Sequence, residues 1–145
     1  MARVPFHYID LRTFSYATED EKRVKQALRS LIPDECELDR VENRGHHGDR
    51  IVVLSARIET ADQMRYVLDR IATLPNLERV LSELEQRVDE NCSLFLRLDK
   101  QAAFHGAVRL GEGITLRAKV EAYPAKKAAA VVNARETLAG LAPDQ

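Results

Sequence analysis

Two different spacings of apolar residues alternate along this chain, and they restrict its fold more than any other feature of the sequence. In the segments 52–58 and 114–122 every second residue is apolar, which is typical of a half-buried β-strand. Between them Met64, Val67 and Ile71 recur at intervals of three and four, which is typical of one face of a helix. Because both spacings occur in a chain of only 145 residues, the pattern predicts one α+β domain built on a single core.

The order of elements follows from the same spacings, read together with helix caps and turn residues. Strands and helices alternate in a way that favours a mostly antiparallel sheet with the helices packed on one of its faces. The predicted elements are a strand at 4–16, a helix from a Thr18–Glu21 capping box to Pro33, strands at 36–45 (lying at an edge) and 52–58, a helix capped by Thr60, a helix through 77–88 after Pro75, a strand at 94–99, a hairpin of 108–110 with 114–122, and a helix from Pro124 to a Gly140 cap.

Composition restricts the partners and the cellular compartment. The 22 Lys and Arg residues nearly cancel the 23 Asp and Glu residues, and the net formal charge is -1. Overall attraction to nucleic acid is therefore absent, and such a partner needs a local basic surface. The two cysteines have no Cys-x-x-Cys spacing, and no apolar segment approaches the length of a signal or membrane helix. These features predict a soluble cytoplasmic protein that does not enter a membrane.

The segment from Arg44 to Arg50 is the most unusual local string, because glycines frame the adjacent histidines His46 and His47 between two arginines. Adjacent histidines project apart and no cysteine lies nearby, which disfavours a metal site. No nucleophile lies close in sequence, which disfavours a catalytic site. Two interpretations remain open. The glycine backbone can approach a phosphate while His and Arg bind RNA, or the segment is a simple hairpin turn.

A second candidate surface follows from the strands at 94–99 and 114–122. If their apolar residues face the helices, the alternate residues face outward together, namely Phe95, Arg97, Arg109, Arg117 and Lys119. Cations can neutralise phosphates and Phe95 can stack on a base. The alternative is an ordinary solvated face on which Asp99 and Glu121 pair with the cations.

Lys100 and Gln101 begin the connection between these strands, which the sequence predicts to be a helical turn closed by Gly106. No phosphate-binding loop, dinucleotide fingerprint, zincin pattern or nucleophile elbow is present in the sequence. We therefore predict no catalytic residues, no metal and no cofactor.

Four strings together resemble an archaeal family of RNA-binding, predicted exosome-subunit proteins: Tyr16-Ala17-Thr18-Glu19-Asp20, Gly45-His46-His47-Gly48, Leu98-Asp99-Lys100-Gln101 and the strand 116–120. The resemblance extends from about Phe6 to the final helix. It implies an α+β fold like that of ribosomal protein L5 and a role in binding RNA. The family pattern has Asn after the second turn glycine, whereas this chain has Asp49, which weakens an anion contact at that position.

The resulting hypothesis is a non-catalytic RNA-binding protein, an accessory of RNA processing or of a ribosome-like assembly. Its contact residues are predicted to be gathered by folding into one positive patch around the paired-histidine turn. They are Arg44, His46, His47, Arg50, Lys100 and Gln101, extended by Phe95, Arg97, Arg117 and Lys119. The rival hypothesis is a protein-interaction or homodimerisation domain that uses the sheet face or an edge strand.

Overall fold

A long central strand organises the structure. The computed structural model describes residues 4–45 and 48–141. Its strands, in chain order, are β1 (Phe6–Tyr16), β2 (Asp39–Arg44), β3 (Arg50–Ile58), β4 (Ser93–Asp99) and β5 (Gly113–Val120). They form one sheet in the order β2-β3-β1-β5-β4, and every neighbouring pair is antiparallel. The central strand β1 is therefore paired with two strands that are distant from it in the sequence.

Within the described residues, six helices accompany the sheet. They are α1 (Glu21–Arg29), α2 (Ala61–Ile71), α3 (Leu77–Ser82), α4 (Leu84–Arg87), α5 (Lys100–Phe104) and α6 (Lys127–Leu141). The helix α1 packs against β1, β3 and α5, while α4 packs against β4, and α6 packs against β5 and α2. None of the helices in the described residues is both long and apolar enough to cross a lipid bilayer.

The core lies between these helices and one face of the sheet. Across the middle of the sheet, Leu11 of β1 is opposite Ala56 on one side and Leu116 on the other, and Leu116 is opposite Leu96. All four side chains are buried, whereas the residues immediately before and after each of them on its strand are not fully buried. Opposite residues in antiparallel strands point to the same side, so these buried side chains share one face of the sheet. The helices of the described residues cover this face only. The predicted α+β class, with helices on one face of an antiparallel sheet, is confirmed.

The predicted start of the first helix is wrong by two residues. Asp20 caps α1, and its carboxylate accepts a hydrogen bond of 3.0 Å from the N–H of Lys22. The residues before it form a turn, in which the N–H of Glu19 donates to the carbonyl of Tyr16. That turn separates Thr18 from the helix. The other predicted cap is confirmed, since Thr60 accepts from the N–H of Gln63.

Two predictions about the last helix are also wrong. The helix α6 begins at Lys127 and not at Pro124, because residues 124–126 form a short turn closed by a hydrogen bond from Lys126 N–H to the Pro124 carbonyl. Gly140 lies inside α6 and lacks the positive φ of a C-cap glycine. Gly106, by contrast, has φ +82° and closes the short helix α5 as predicted.

Two further segments differ from the sequence-based prediction. The predicted helix through 77–88 is divided at Glu83 into α3 and α4. Residues 108–110 form only an isolated bridge from Leu110 to Leu98 and no hairpin with β5. Asp99 already donates its N–H to the carbonyl of Arg109, so this segment runs along the end of β4 before the chain enters β5. The predicted edge strand at 36–45 is confirmed in part as the shorter β2, in which every residue is exposed.

Candidate nucleic-acid interface

One face of the sheet, which no helix of residues 4–45 and 48–141 covers, combines aromatic rings with cations. We call this surface the open face and define it by the strand residues that alternate with the core residues. Its aromatic and basic members are Tyr8, Phe14, Tyr16 and Phe95, together with Arg12, Arg57, Arg97, Arg117 and Lys119. The acidic members are Asp10 and Asp39, while Asp99 accepts from the N–H of Ala102 and caps α5. Cations therefore outnumber acids on this face although the whole chain is slightly negative.

One carboxylate organises the centre of the open face. Arg57 donates from Nε and Nη2 to the two carboxylate oxygens of Asp10 at 2.8 and 2.9 Å, and Arg117 donates to Oδ2 at 3.1 Å. The two guanidinium groups also lie 4.0 and 5.8 Å from the ring centroid of Tyr8. The hydrogen bonds to Asp10 raise the pKa of Arg57 above its usual value. Asp10 thus holds two guanidinium groups, one on each side of β1.

The neighbouring arginine, Arg12, is not neutralised in this way. Its guanidinium lies 5.5 Å from the ring centroid of Phe14, which in turn stacks on Tyr16 with ring centroids 6.3 Å apart. Among residues 4–45 and 48–141, no carboxylate forms an ion pair with Arg12. This cation is therefore available to an anion from solution.

A depression of about 360 Å³ crosses the open face between these groups. It is lined by the side chains around Asp10, by Arg12 and by Phe95, whose side chain is 37% exposed. This volume falls within the range of about 300–1,000 Å³ that is usual for small-ligand sites. The depression can therefore accept a group of the size of a nucleobase.

Four of the residues predicted from the sequence lie on the open face. Phe95 is directly opposite Arg117, and Arg97 lies two residues further along β4. Arg97 forms an ion pair of 3.3 Å with Glu112 in which both side chains are well exposed, so solvent screens it and it holds the arginine weakly. Lys119 donates from Nζ to the carbonyl of Asn91. Lys119 is thus anchored, Arg97 is held only weakly, and neither side chain is buried.

The arginines of the turn lie on the other side of the edge strand. Arg44 is opposite Arg50, and both point to the helix-covered side, as does Val52. Arg44 donates to the carbonyl of Gly48 at 3.1 Å, while Arg50 lies 3.7 Å from Glu21 and 3.8 Å from Glu42. The expectation of one continuous positive patch is therefore wrong, because β2 and β3 separate these arginines from the open face. His46 and His47 lie outside the described residues.

The predicted residues Lys100 and Gln101 lie at one end of the sheet. The ammonium of Lys100 is 2.8 Å from the carboxylate of Glu19 and donates to the carbonyl of Phe14 at 3.0 Å. It is only 17% exposed. Gln101 is exposed beside it. Lys100 therefore ties the start of α5 to the end of β1.

Sequence reasoning missed the contribution of β1 to the open face. The alternation of Ile9 and Leu11 with Tyr8, Asp10 and Arg12 signals which residues share a side. It does not reveal that β1 lies between β3 and β5. For that reason Asp10 could not be linked to its two arginines.

A larger groove, of about 600 Å³, lies on the helix side of the molecule. Among the described residues, its lining includes apolar residues of the chain before β1 and of α6, together with the acids Asp69, Glu121 and Glu136 and the cation Arg65. This excess of negative charge disfavours phosphate. Within the described residues, no three His, Cys, Asp or Glu side chains are grouped closely enough to hold a metal ion.

Comparison with known proteins identifies the family of this chain. Residues 8–120 match the model of a protein family described as RNA binding. The chain belongs to this RNA-binding family. A relative from Pyrococcus abyssi, named as an RNA-binding protein, is 37% identical over 145 positions that cover 92% of this chain and 94% of the relative. An uncharacterized protein of Methanocaldococcus jannaschii is 30% identical over 114 positions, which cover 72% of this chain and 76% of that protein.

Solved structures of two archaeal proteins have the same fold as this chain. A DUF54 protein of Archaeoglobus fulgidus superposes with a TM-score of 0.81 at 28% identity, over 91% of this chain and 99% of that one. A DUF54 protein of Methanothermobacter thermautotrophicus gives a TM-score of 0.76 at 41% identity, over 92% and 98% of the two chains. The α+β arrangement described above is therefore shared by structures of both proteins.

Proposed function

We propose that this chain is a non-catalytic RNA-binding protein that contacts RNA through the open face. The observation that supports this most is the gathering of aromatic rings and arginines on the sheet face that the described helices leave uncovered. Membership of the RNA-binding family supports the same function independently. Arg12, Arg97 and Lys119 would neutralise phosphates, while the aromatic rings would contact bases.

The predicted residues away from the open face form a second, separate part of the proposal. Arg44, Arg50 and the histidines His46 and His47 would contact RNA that passes around the β2 edge. Gln101 would do so at the end of the sheet, where Lys100 holds α5 in place. Because Arg50 already lies near two carboxylates, we expect the edge to contribute less than the open face.

The biological setting is proposed on the family resemblance. We infer a cytoplasmic accessory of RNA processing, associated with the exosome or with ribosomal proteins, and an evolutionary relation to the ribosomal protein L5 fold. Co-purification of exosome subunits with the tagged protein from an archaeal lysate, abolished by ribonuclease, would support the first inference. Failure to recover any such subunit would count against it.

The RNA-binding proposal is tested by affinity measured against salt. Fluorescence anisotropy with a labelled RNA should show that affinity falls steeply between about 0.05 and 0.2 M salt, because binding releases counterions from phosphates. The double variant Arg97→Gln, Lys119→Gln should bind more weakly, and the slope of log affinity against log salt should decrease by about one for each cation removed. Absence of binding at the lowest salt would reject the proposal.

Two matched double variants test whether the loss of RNA affinity is specific to the open face. Lys127→Gln with Arg135→Gln removes the same charge from α6, on the helix side, and should leave affinity unchanged. Arg44→Gln with Arg50→Gln removes two positive charges from the β2 edge. It should reduce RNA affinity less than Arg97→Gln with Lys119→Gln on the open face. An equal loss in all three double variants would mean that only net charge matters, and the open face would then not be a site.

The rival function, docking of another protein chain, is favoured by one observation. All six residues of β2 are exposed at the sheet edge, including the apolar Val41. However, Asp39, Arg40, Glu42 and Arg44 also lie on this edge, and charged side chains are a common means of preventing strand addition. Salt-insensitive self-association in sedimentation experiments, without RNA binding, would favour the rival.

A further inference from the structure

The aromatic rings on the open face differ in how they are already engaged. Tyr8 lies beneath the guanidinium groups of Arg57 and Arg117, and Phe14 is contacted by Arg12 and stacked on Tyr16. Phe95 is different. In the part of the chain that the structure describes, its ring makes no aromatic or cation–π contact, although it is 37% exposed at the rim of the depression.

The position next to Phe95 is occupied by a fixed guanidinium. Arg117 is directly opposite Phe95 in the β4–β5 register, and Asp10 holds its Nη2 at 3.1 Å. Guanidinium planes, like aromatic rings, serve as platforms for unstacked bases in RNA-binding proteins. The depression therefore has an unoccupied ring on one side and a positioned planar cation beside it.

Phosphate contacts are available at a suitable spacing. Arg97 lies two residues from Phe95 on the same side of β4, a separation of about 7 Å along a strand. Arg12 borders the same depression and has no carboxylate partner among the described residues. An RNA strand that crosses the β-sheet can thus place a base on Phe95 and the flanking phosphates of that base near two arginines.

A duplex cannot use this arrangement, because its bases are already stacked on each other and paired. Proteins that bind duplex RNA contact phosphates and 2′-hydroxyls, and proteins that bind single strands add aromatic platforms. We infer, on the basis of the proposed function, that the ligand of the open face is single-stranded RNA with one unpaired base stacked on Phe95 inside the depression.

The experiment compares two forms of one RNA and three single variants. The probe is an RNA of mixed sequence with a central 2-aminopurine, long enough to form a stable duplex at low salt, and it is used alone and annealed to its complement. Phe95→Leu keeps an apolar side chain but removes the ring, Phe95→Tyr keeps the ring, and Tyr66→Leu removes a ring of similar exposure, 43%, from α2 on the helix side. Thermal unfolding of each variant verifies that it is folded.

We expect the wild type to bind the single strand at least about tenfold more tightly than the duplex, and to quench the 2-aminopurine fluorescence. Phe95→Leu should lose about tenfold in affinity for the single strand, together with the quenching, since stacking on one aromatic ring contributes on this scale. Phe95→Tyr should retain both properties, and Tyr66→Leu should behave as the wild type.

Equal affinity for single strand and duplex, or unchanged affinity of Phe95→Leu, would overturn the inference. Salt-dependent binding that persists in either case would leave the proposed RNA-binding function intact. No binding of either form at low salt would overturn the inference and the proposed function together.

Discussion

At the scale of single residues, Lys100 shows how a side chain suited to RNA can instead be used by the fold. Its ammonium contacts Glu19 and the carbonyl of Phe14, and it lies 5.6 Å from the ring centroid of Tyr16. Burial tends to raise the pKa of Glu19, but the hydrogen bonds from Lys100 and from the N–H of Tyr16 outweigh it and lower that pKa. The ion pair therefore joins β1 to α5.

The lowered pKa of Glu19 has a consequence for stability against pH. A carboxyl group whose pKa is lowered by folding stabilises the native state above its ordinary pKa, 4.5 for Glu, and loses this contribution as the pH falls through the lowered value. We expect Glu19→Gln to reduce the free energy of unfolding by about 2 kcal/mol at pH 7. The difference from the wild type should shrink steadily below pH 4.5.

Urea unfolding at a series of pH values measures this difference. Glu136→Gln is the matched control, because Glu136 is exposed on α6 and forms no ion pair with the described residues. A Glu19→Gln deficit that stays constant from pH 7 to pH 3, or a deficit of the same size in the control, would contradict the assignment.

At the scale of elements, helix boundaries depend on which side chain reaches the free N–H groups of the first turn. Thr18 with Glu21 fits the sequence pattern of a capping box, yet Asp20 makes the capping hydrogen bond. The turn from Tyr16 to Glu19 takes up the residues that the pattern assigned to the helix. A tertiary constraint thus overrides a local preference, since Glu19 must meet Lys100.

The two candidate caps are easily separated by substitution. Asp20→Ala should lower the free energy of unfolding by about 1 kcal/mol, since it leaves an N–H of α1 without its partner. Asp20→Asn should cost little, because asparagine caps helices about as well, and Thr18→Ala should be close to neutral. Thermal or urea unfolding of the three variants provides the measurement. A larger loss in Thr18→Ala than in Asp20→Ala would restore the original prediction.

At the scale of the whole molecule, one apolar core connects all the helices with a single face of the sheet. Leu116 lies near its middle, on β5 opposite Leu11 and Leu96. Since no second core is present in the described residues, the two ends of the sheet should not unfold independently.

Cooperative unfolding is therefore expected. Far-ultraviolet circular dichroism, which reports helices, and tyrosine fluorescence, which reports the surroundings of four tyrosines including Tyr8 and Tyr16 on β1, should give the same urea midpoint. Leu116→Ala should move both midpoints together by an amount equivalent to about 2–5 kcal/mol. Separate midpoints for the two signals would show that the chain contains more than one cooperative unit.

Which residues within each segment share a side follows from the local sequence pattern alone. The alternation in 52–58 and 114–122 and the helical spacing through Met64 and Ile71 are local properties of the backbone, and the structure confirms them. The common outward side of Phe95 and Arg97 is also of this kind. Predictions of helix caps and turns were less reliable, because several polar residues compete for the same N–H groups.

Which strands are neighbours depends on how the whole chain packs. Asp10 meets Arg57 and Arg117 across 47 and 107 positions of sequence, because burial of the core places β1 between β3 and β5. The same arrangement puts Arg44 and Arg50 on the opposite side from Arg97. Strand periodicity specifies a face for each residue, but strand order depends on how all the apolar faces are buried together, and no local pattern contains that information.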